Sequence, residues 1–272
     1  MEPLFESYPK IAESVGSWRL NEADTRALNK VPWVVTEKVH GANFSWLVDA
    51  EGGLRCAKRK ALLEPGESFF QHSSVVERHR DAILELGSRL GEQYPQWQSV
   101  QVYGELFGGG YPHPDVPATP GVQPIQTGVY YCPEVRFCAF DLAVTLADTQ
   151  RVMIDYLEAV ELWESVGLPY AEPLKVGALG ELLEYPRRFT TTWPDRLGLP
   201  PLEDPNLAEG IVLKPVPFVE VATPKGARRP LLKLKIAEFA EDQRYHQAKP
   251  WPSSTSGGDG GYALDLLEWE MM

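Results

Sequence analysis

With 272 residues, 43% of them hydrophobic and 24% charged, the chain holds enough apolar material for one large folded domain, or one domain with a small appendage, and is not disordered. Its formal net charge of −12 is the wrong sign for holding nucleic acid by bulk electrostatics, so a polynucleotide partner requires a local basic stripe. No stretch approaches the roughly 20 apolar residues of a membrane span, and the opening MEPLFESYPK is acidic with no apolar segment, so the expected compartment is the cytosol, without a membrane partner.

Cys56, Cys132 and Cys138 form no CxxC pair. With only five scattered histidines beside them, a disulfide framework or a zinc site has little to draw on, and they are read as buried thiols.

Along the chain, LNEADTRALNK predicts a helix with Asn21 near its cap. VPWVVTEKVHGANFSWLVDAEGGLRCAKR alternates in two stretches about the turn signal at residues 50–53 and predicts a β-hairpin. Val75, Val76, His79, Ile83, Leu86 and Leu90 recur at helical spacing over 74–91, and Pro95 stops any continuation. SVQVYGELF predicts a strand, the Gly- and Pro-rich run 108–124 a loop, and EVRFCAFDLAV a further strand. Asp155 with Glu158 spells a capping box opening a helix to about Val166, a second short helix is expected over 179–185, and EGIVLKPVPF and RRPLLKLKI give two more strands. Strands with hairpin-like returns and isolated helices argue for an α+β fold with antiparallel sheets. The main domain is placed at 1–249, a Gly/Ser/Pro-rich linker at 250–261, and a short C-terminal segment at 262–272.

Lys38 ends a β-branched strand three residues before Gly41. A lysine becomes a nucleophile only by losing its proton, which burial beside other cations promotes, and a nearby glycine lets backbone approach a phosphate. Lys-x-x-Gly alone is equally a surface lysine. Lys233 and Lys235, two apart on a strand, share a face and can converge on one phosphate; they are also what an edge strand with solvated lysines would show. Lys214, Lys225, Arg228, Arg229, Lys233 and Lys235 form either a basic stripe or a solvated hairpin.

The ordered series TEKVHGANFS, CAKRKALLEPGESFF, YGELFGGG, FCAFDLAV, AEGIVLKP and LLKLK resembles the nucleotidyltransferase motifs of the covalent ligase and capping-enzyme superfamily. It is most similar to the RNA ligase 2-like branch, where His follows the nucleophile by two, as His40 does here, in place of the Asp of DNA ligases and capping enzymes. The resemblance spans about three quarters of the chain. It implies a nucleotidyltransferase (adenylation) domain of antiparallel sheets flanked by helices, an ATP-grasp-like ligase fold.

The same resemblance implies an ATP-dependent RNA ligase. Lys38 takes AMP from ATP as a phosphoramidate, passes it to an RNA 5′-phosphate, and a 3′-hydroxyl then seals the break, with nicked duplex as the expected substrate in RNA repair. Lys38, Glu209, Lys233 and Lys235 are the implied catalytic set, Glu209 also holding Mg²⁺ or Mn²⁺. Glu37 is placed near the adenine pocket and Val39 among the nucleotide contacts. Glu105 is placed on the ribose hydroxyls, Phe140 stacked on adenine, and Lys214 on phosphate. Arg59 is assigned to the phosphates or the RNA end, and Asn43 to the end being joined. Asp141 is read as supporting structure.

RNA ligase 2-like enzymes commonly carry a further, mostly helical C-terminal domain, and fewer than forty residues follow Lys235. A truncated chain, a minimal ligase and a partner protein supplying that surface all fit. Competing readings are an adenylyltransferase with another acceptor, a DNA ligase-like or GTP-using capping enzyme, and a non-catalytic nucleotide-binding module.

Overall fold

The computed structural model describes residues 5–223 and 226–241. Lys225, the expected linker and the expected C-terminal segment lie outside the described residues. In chain order the elements are α1 (Glu22–Leu28), β1 (Trp33–Glu37), β2 (Ala42–Asp49), β3 (Leu54–Lys58), β4 (Ala61–Leu62), α2 (His72–Gln93), β5 (Trp97–Gly110), β6 (Cys132–Leu146) and β7 (Arg151–Met153). There follow α3 (Tyr156–Ser165), β8 (Pro173–Gly177), α4 (Leu179–Leu183), α5 (Trp193–Arg196), β9 (Gly210–Pro215), β10 (Val221–Thr223), β11 (Gly226–Arg228), β12 (Leu232–Lys235) and α6 (Ala237–Glu241). No helix among the described residues is long and apolar enough to cross a membrane.

Two antiparallel sheets dominate: a six-stranded one in the order β4-β3-β2-β5-β6-β7 and a four-stranded one in the order β12-β9-β1-β8. The α+β expectation with antiparallel sheets is therefore met. The expected hairpin holds only for β2 and β3, closed by Asp49, whose Oδ1 accepts from Gly53 N at 2.6 Å. β1 belongs to the other sheet, paired with β8 and β9. Alternation does not distinguish the two cases. The chain changes sheet over residues 38–41, where Lys38 N donates to Gly210 O at 2.9 Å and β2 then begins against β5.

One core lies between the six-stranded sheet and the helices α2 and α3. Phe44, Trp46 and Phe137 meet edge to face there, at centroid separations of 5.2, 5.6 and 5.9 Å, against Val75, Ile83, Leu86 and Leu90 of α2 and Trp163 of α3. Each such ring pair adds about 0.5–1.5 kcal/mol beyond its buried area. A second core covers the outer face of the four-stranded sheet, with Trp33, Val35, Ile211, Leu213, Leu232 and Leu234 under Trp18, Leu28, Leu179 and Leu182. The opposite faces of the two sheets carry the polar residues considered next.

Local signals held where the partner is local. Asn21 caps α1 by accepting from Asp24 N at 2.8 Å, and the helical spacing over 74–91 becomes α2. The capping box does not form: Asp155 makes no side-chain cap, and its Oδ1 accepts instead from Phe218 N at 2.8 Å. β5 runs on through Gly108 and Gly109, both at φ +92°, so the expected loop starts only at Tyr111. The short elements β4, β7, β8, α5, β10 and β11 were not legible in the sequence. Among the described residues the cations do not form one continuous stripe, because Lys214 and Arg229 are buried while Arg228 is exposed on β11, which pairs with β10 as a hairpin.

Candidate active site

Strand register brings three distant charges to one level. Glu37 of β1 pairs with Ile211 and Lys235 of β12 pairs with Gly210, so the last residues of β1 and β12 flank the start of β9. Lys38 and Glu209 are the next residues out. Gly210 permits this closeness: at φ +150° it has no Cβ, and one added there would lie 2.1 Å from Leu234 O. Glu209 is 1% exposed and sits among the cations, with Oε2 2.6 Å from Lys38 Nζ and 3.1 Å from His40 Nδ1, and Oε1 3.0 Å from Lys235 Nζ. His40 N donates to Tyr131 OH at 2.8 Å, which fixes the segment after Lys38.

The six-stranded sheet supplies the facing wall. Asn43 of β2 is directly across from Glu105 of β5, and the Gly41 backbone N–H donates to the Glu105 carboxylate. Arg59 is close enough to act electrostatically on both Lys38 and Glu105. Phe140 owes its direction to a bulge: Tyr103 pairs with Asp141 and Gly104 with Ala139, leaving Phe140 as the extra residue in β6. Phe137, Ala139, Leu142 and Val144 point into the core under α2 and α3, whereas Cys138, Phe140 and Ala143 pack on the other side. Without the bulge, alternation would put Asp141 or Phe140 on the wrong face. Val39 shares an apolar patch with Phe140, Phe107 and Trp193.

Some expected residues are held elsewhere. Lys233 shares a strand face with Lys235, since Leu232 and Leu234 fill the opposite core, yet its amine is 3.0 Å from Glu13. Lys214 is sealed behind Phe140. Its amine donates to Phe140 O, lies 3.8 Å from the Tyr156 ring centroid and 3.8 Å from Asp141 Oδ2. Asp141 is structural support as expected, accepting from Tyr8 OH and from Arg229 Nη1. Glu37 is buried, with Oε1 accepting from Thr191 Oγ1 and Oε2 from Thr192 N and Oγ1, both at 2.8 Å. Thr191, Thr192, Tyr131 and Glu13 carry no sequence motif and were missed.

Electrostatics act on the Lys38 amine in both directions. Burial pulls the Lys38 amine down, but Glu209 and Glu105 outweigh it, and the proton is held more tightly than in a free lysine. Glu209 is driven well below the carboxylate range despite burial, by Lys38, His40 and Lys235. Burial raises Glu105 to about 7, opposed by Lys38 and reinforced by Glu209. Desolvation pulls Lys214 down to about 8. Among the described residues no group of three or more His, Cys, Asp and Glu forms a metal cage. The buried oxygen donor of Glu209 is of the chemical type that Mg²⁺ and Mn²⁺ take, and such ions commonly bind through one or two carboxylates.

Two expected outcomes follow from this geometry. A Cβ on Gly41 would lie 1.9 Å from Leu106 O, so the packing of β2 on β5 requires Gly41. Gly41→Ala is expected to cost about 1–3 kcal/mol in denaturant unfolding, as overpacking does. The folded-state pKa of Glu105 is raised from 4.5 to about 7, so the folded chain binds more protons over that window and its stability falls as pH rises through it. Glu105→Gln should flatten the stability–pH profile between those limits; an unchanged slope would show that Glu105 titrates normally.

An RNA ligase family model matches residues 31–235. Among curated relatives, the chain is 33% identical over 258 residues to RNA-editing ligase 2, mitochondrial, of Trypanosoma brucei brucei, covering 88% of this chain and 61% of that protein. It is 34% identical over 250 residues to RNA-editing ligase 1, mitochondrial, of the same organism, covering 82% and 53%. The chain thus spans between half and two thirds of the curated relatives it matches. The fold is similar to a mutant RNA ligase of Naegleria gruberi solved with AMP and Mn, at TM-score 0.56 and 12% identity over 89% of this chain and 61% of that one. Another mutant of that ligase, solved with ATP and Mn, gives TM-score 0.54 and 13% identity over 88% and 58%.

Proposed function

Because the chain belongs to the RNA ligase family, we propose that it catalyses ATP-dependent RNA joining through a lysyl-AMP on Lys38, at nicks in duplex RNA. The observation that carries this reading is the convergence of Lys38, His40 and Lys235 on the buried carboxylate of Glu209. In the first step the Lys38 Nζ attacks the α-phosphorus of ATP, an N–P bond forms, the bond to pyrophosphate breaks, and the amine gives up a proton. An RNA 5′-phosphate oxygen then displaces Lys38, which takes a proton back. The 3′-hydroxyl attacks the activated 5′-phosphate and releases AMP. Each is a transfer whose transition state gains chiefly from positioning and from cations around the equatorial oxygens.

Lys235 and Arg59 are the cations assigned to the α-phosphate, with Lys233 available once it leaves the exposed Glu13. An exposed pair of that kind contributes about 0–1 kcal/mol and is readily exchanged. Val39 and Phe140, in one apolar patch, flank the base, and Glu37, held by Thr191 and Thr192, lies beside it. Glu105 and Asn43 face the ribose and the end being joined. Lys214, which holds the Phe140 carbonyl, positions that ring beside the base. Glu209 is the residue that would hold a Mg²⁺ or Mn²⁺, whose charge would stabilise the phosphate oxygens and offset the carboxylate's hold on the Lys38 proton.

The net charge of −12 favours a second reading, in which AMP passes from Lys38 to another acceptor, or sealing needs a partner protein that supplies basic surface. Labelled ATP supplied with nicked RNA, nicked DNA and no acceptor separates these. Joined RNA supports the first reading. A stable AMP adduct that no polynucleotide discharges supports the second, and no adduct at all refutes both.

A further inference from the structure

A groove of about 630 Å³ opens between residues 183–188, at and after the end of α4, and the junction of β12 with α6. Its lining includes Arg187, Arg188 and Lys235 with Glu184 and Glu238, three cations against two anions, in a chain whose balance is −12. We propose that this groove binds the phosphodiester backbone of the RNA strand being joined, with Arg187 and Arg188 as phosphate contacts; the inference rests on the RNA-joining reading.

Position is the first argument. Lys235 lines the groove, and its amine is 3.0 Å from the Glu209 carboxylate that also holds Lys38. Ile236, also in the lining, donates its backbone N–H to Glu209 O at 3.0 Å. A strand lying in the groove therefore ends beside the reacting amine.

The walls are fixed. Leu182 is fully buried ahead of the 183–188 segment, Pro186 restricts its backbone, and Ile236 is buried on the other side. The two arginines thus project from a set backbone, which lowers the ordering cost of binding.

Charge and partnering supply the third argument. Arg187 is exposed and has no hydrogen bond or ion pair among the described residues. Arg188 is 3.0 Å from Glu238, an exposed pair. Such pairs contribute about 0–1 kcal/mol, so a phosphate can replace Glu238. Both arginines line the groove, and guanidinium geometry matches phosphate oxygens. The lining holds five charged side chains against one ring, Tyr185, which is half-buried against the core of the four-stranded sheet. The groove therefore reads backbone charge and not sequence.

The test uses the full chain and a 5′-phosphorylated nicked RNA duplex, comparing wild type with Arg187→Ala/Arg188→Ala, Arg187→Lys/Arg188→Lys and Glu238→Gln. Binding is followed by fluorescence anisotropy over a salt series, and AMP loading of Lys38 is measured in parallel. The double alanine variant is expected to load AMP within about twofold of wild type, to bind RNA at least about tenfold more weakly, and to show a log–log salt slope shallower by about 1.5, the loss of two phosphate contacts. The double lysine variant is expected to restore most of the slope, and Glu238→Gln to bind RNA more tightly. Equal affinity and slope in wild type and the double alanine variant overturn the inference alone. A raised KM for ATP with unchanged RNA binding also overturns it, by assigning the groove to the triphosphate. Absence of RNA binding by the wild-type chain overturns both the inference and the reading beneath it.

Discussion

Lys38→Ala and Lys38→Arg are both expected to abolish the AMP adduct, read as loss of the mass shift after incubation with ATP and a divalent cation, while the fold is retained. Alanine removes the nucleophile. Arginine keeps the charge but cannot lose its proton in a protein, so it separates a need for charge from a need for a nucleophilic amine. The side chain is half-buried and paired with Glu209 at 2.6 Å, yet Lys235 still neutralises that carboxylate when Lys38 is gone, and His40 Nδ1 stays 3.1 Å from it. The expected stability loss is therefore below the roughly 3–5 kcal/mol of a buried charge left alone. An adduct persisting in Lys38→Ala would mean that another group carries AMP.

Glu209→Gln is expected to slow adduct formation by about 10²–10³-fold, the scale of losing one preorganised electrostatic group. It should also move the pH dependence in a set direction. Burial alone would lower the Lys38 pKa, and Glu209 with Glu105 reverses this. Neutralising Glu209 removes the larger opposing charge, so the Lys38 proton is lost at lower pH and the rising limb of the rate profile shifts to the acid side, even as the maximum falls. A profile that falls without shifting would show that Glu209 acts only on bound nucleotide and metal. Removing this anion also leaves Lys38, Lys235 and Arg59 facing each other, which adds a stability cost measurable by denaturant.

The order of the motifs was legible because each is a local string: TEKVHG, YGELFG, AEGIVLKP and LLKLK each lie within one strand or its end. Lys38, Glu209 and Lys235 were named from that order, and the register of β1, β9 and β12 brings them together. What each touches was not legible. The partner of Lys38 lies 171 residues away, that of Glu37 155, and that of the His40 backbone 91. Thr191 and Thr192 sit in a plain run of threonines, and no local pattern marks them as the donors that hold Glu37. Lys214 illustrates the same limit, since the motif placed it on a strand but did not show Phe140 O and Tyr156 closing over its amine.

By itself the sequence determined the antiparallel α+β class, the cap of α1 at Asn21 and the buried face of α2, all properties of periodicity and short-range hydrogen bonding within a turn or a strand, and its ordered motifs carried the resemblance to the family. Only the tertiary structure decided that β1 and β2 part into different sheets, that a bulge turns Phe140 toward the cleft, and that Lys38 rests protonated against Glu209. The reason is physical: which sheet a strand joins, and which proton a buried group keeps, depend on neighbours that are distant in the chain and on water removed by packing.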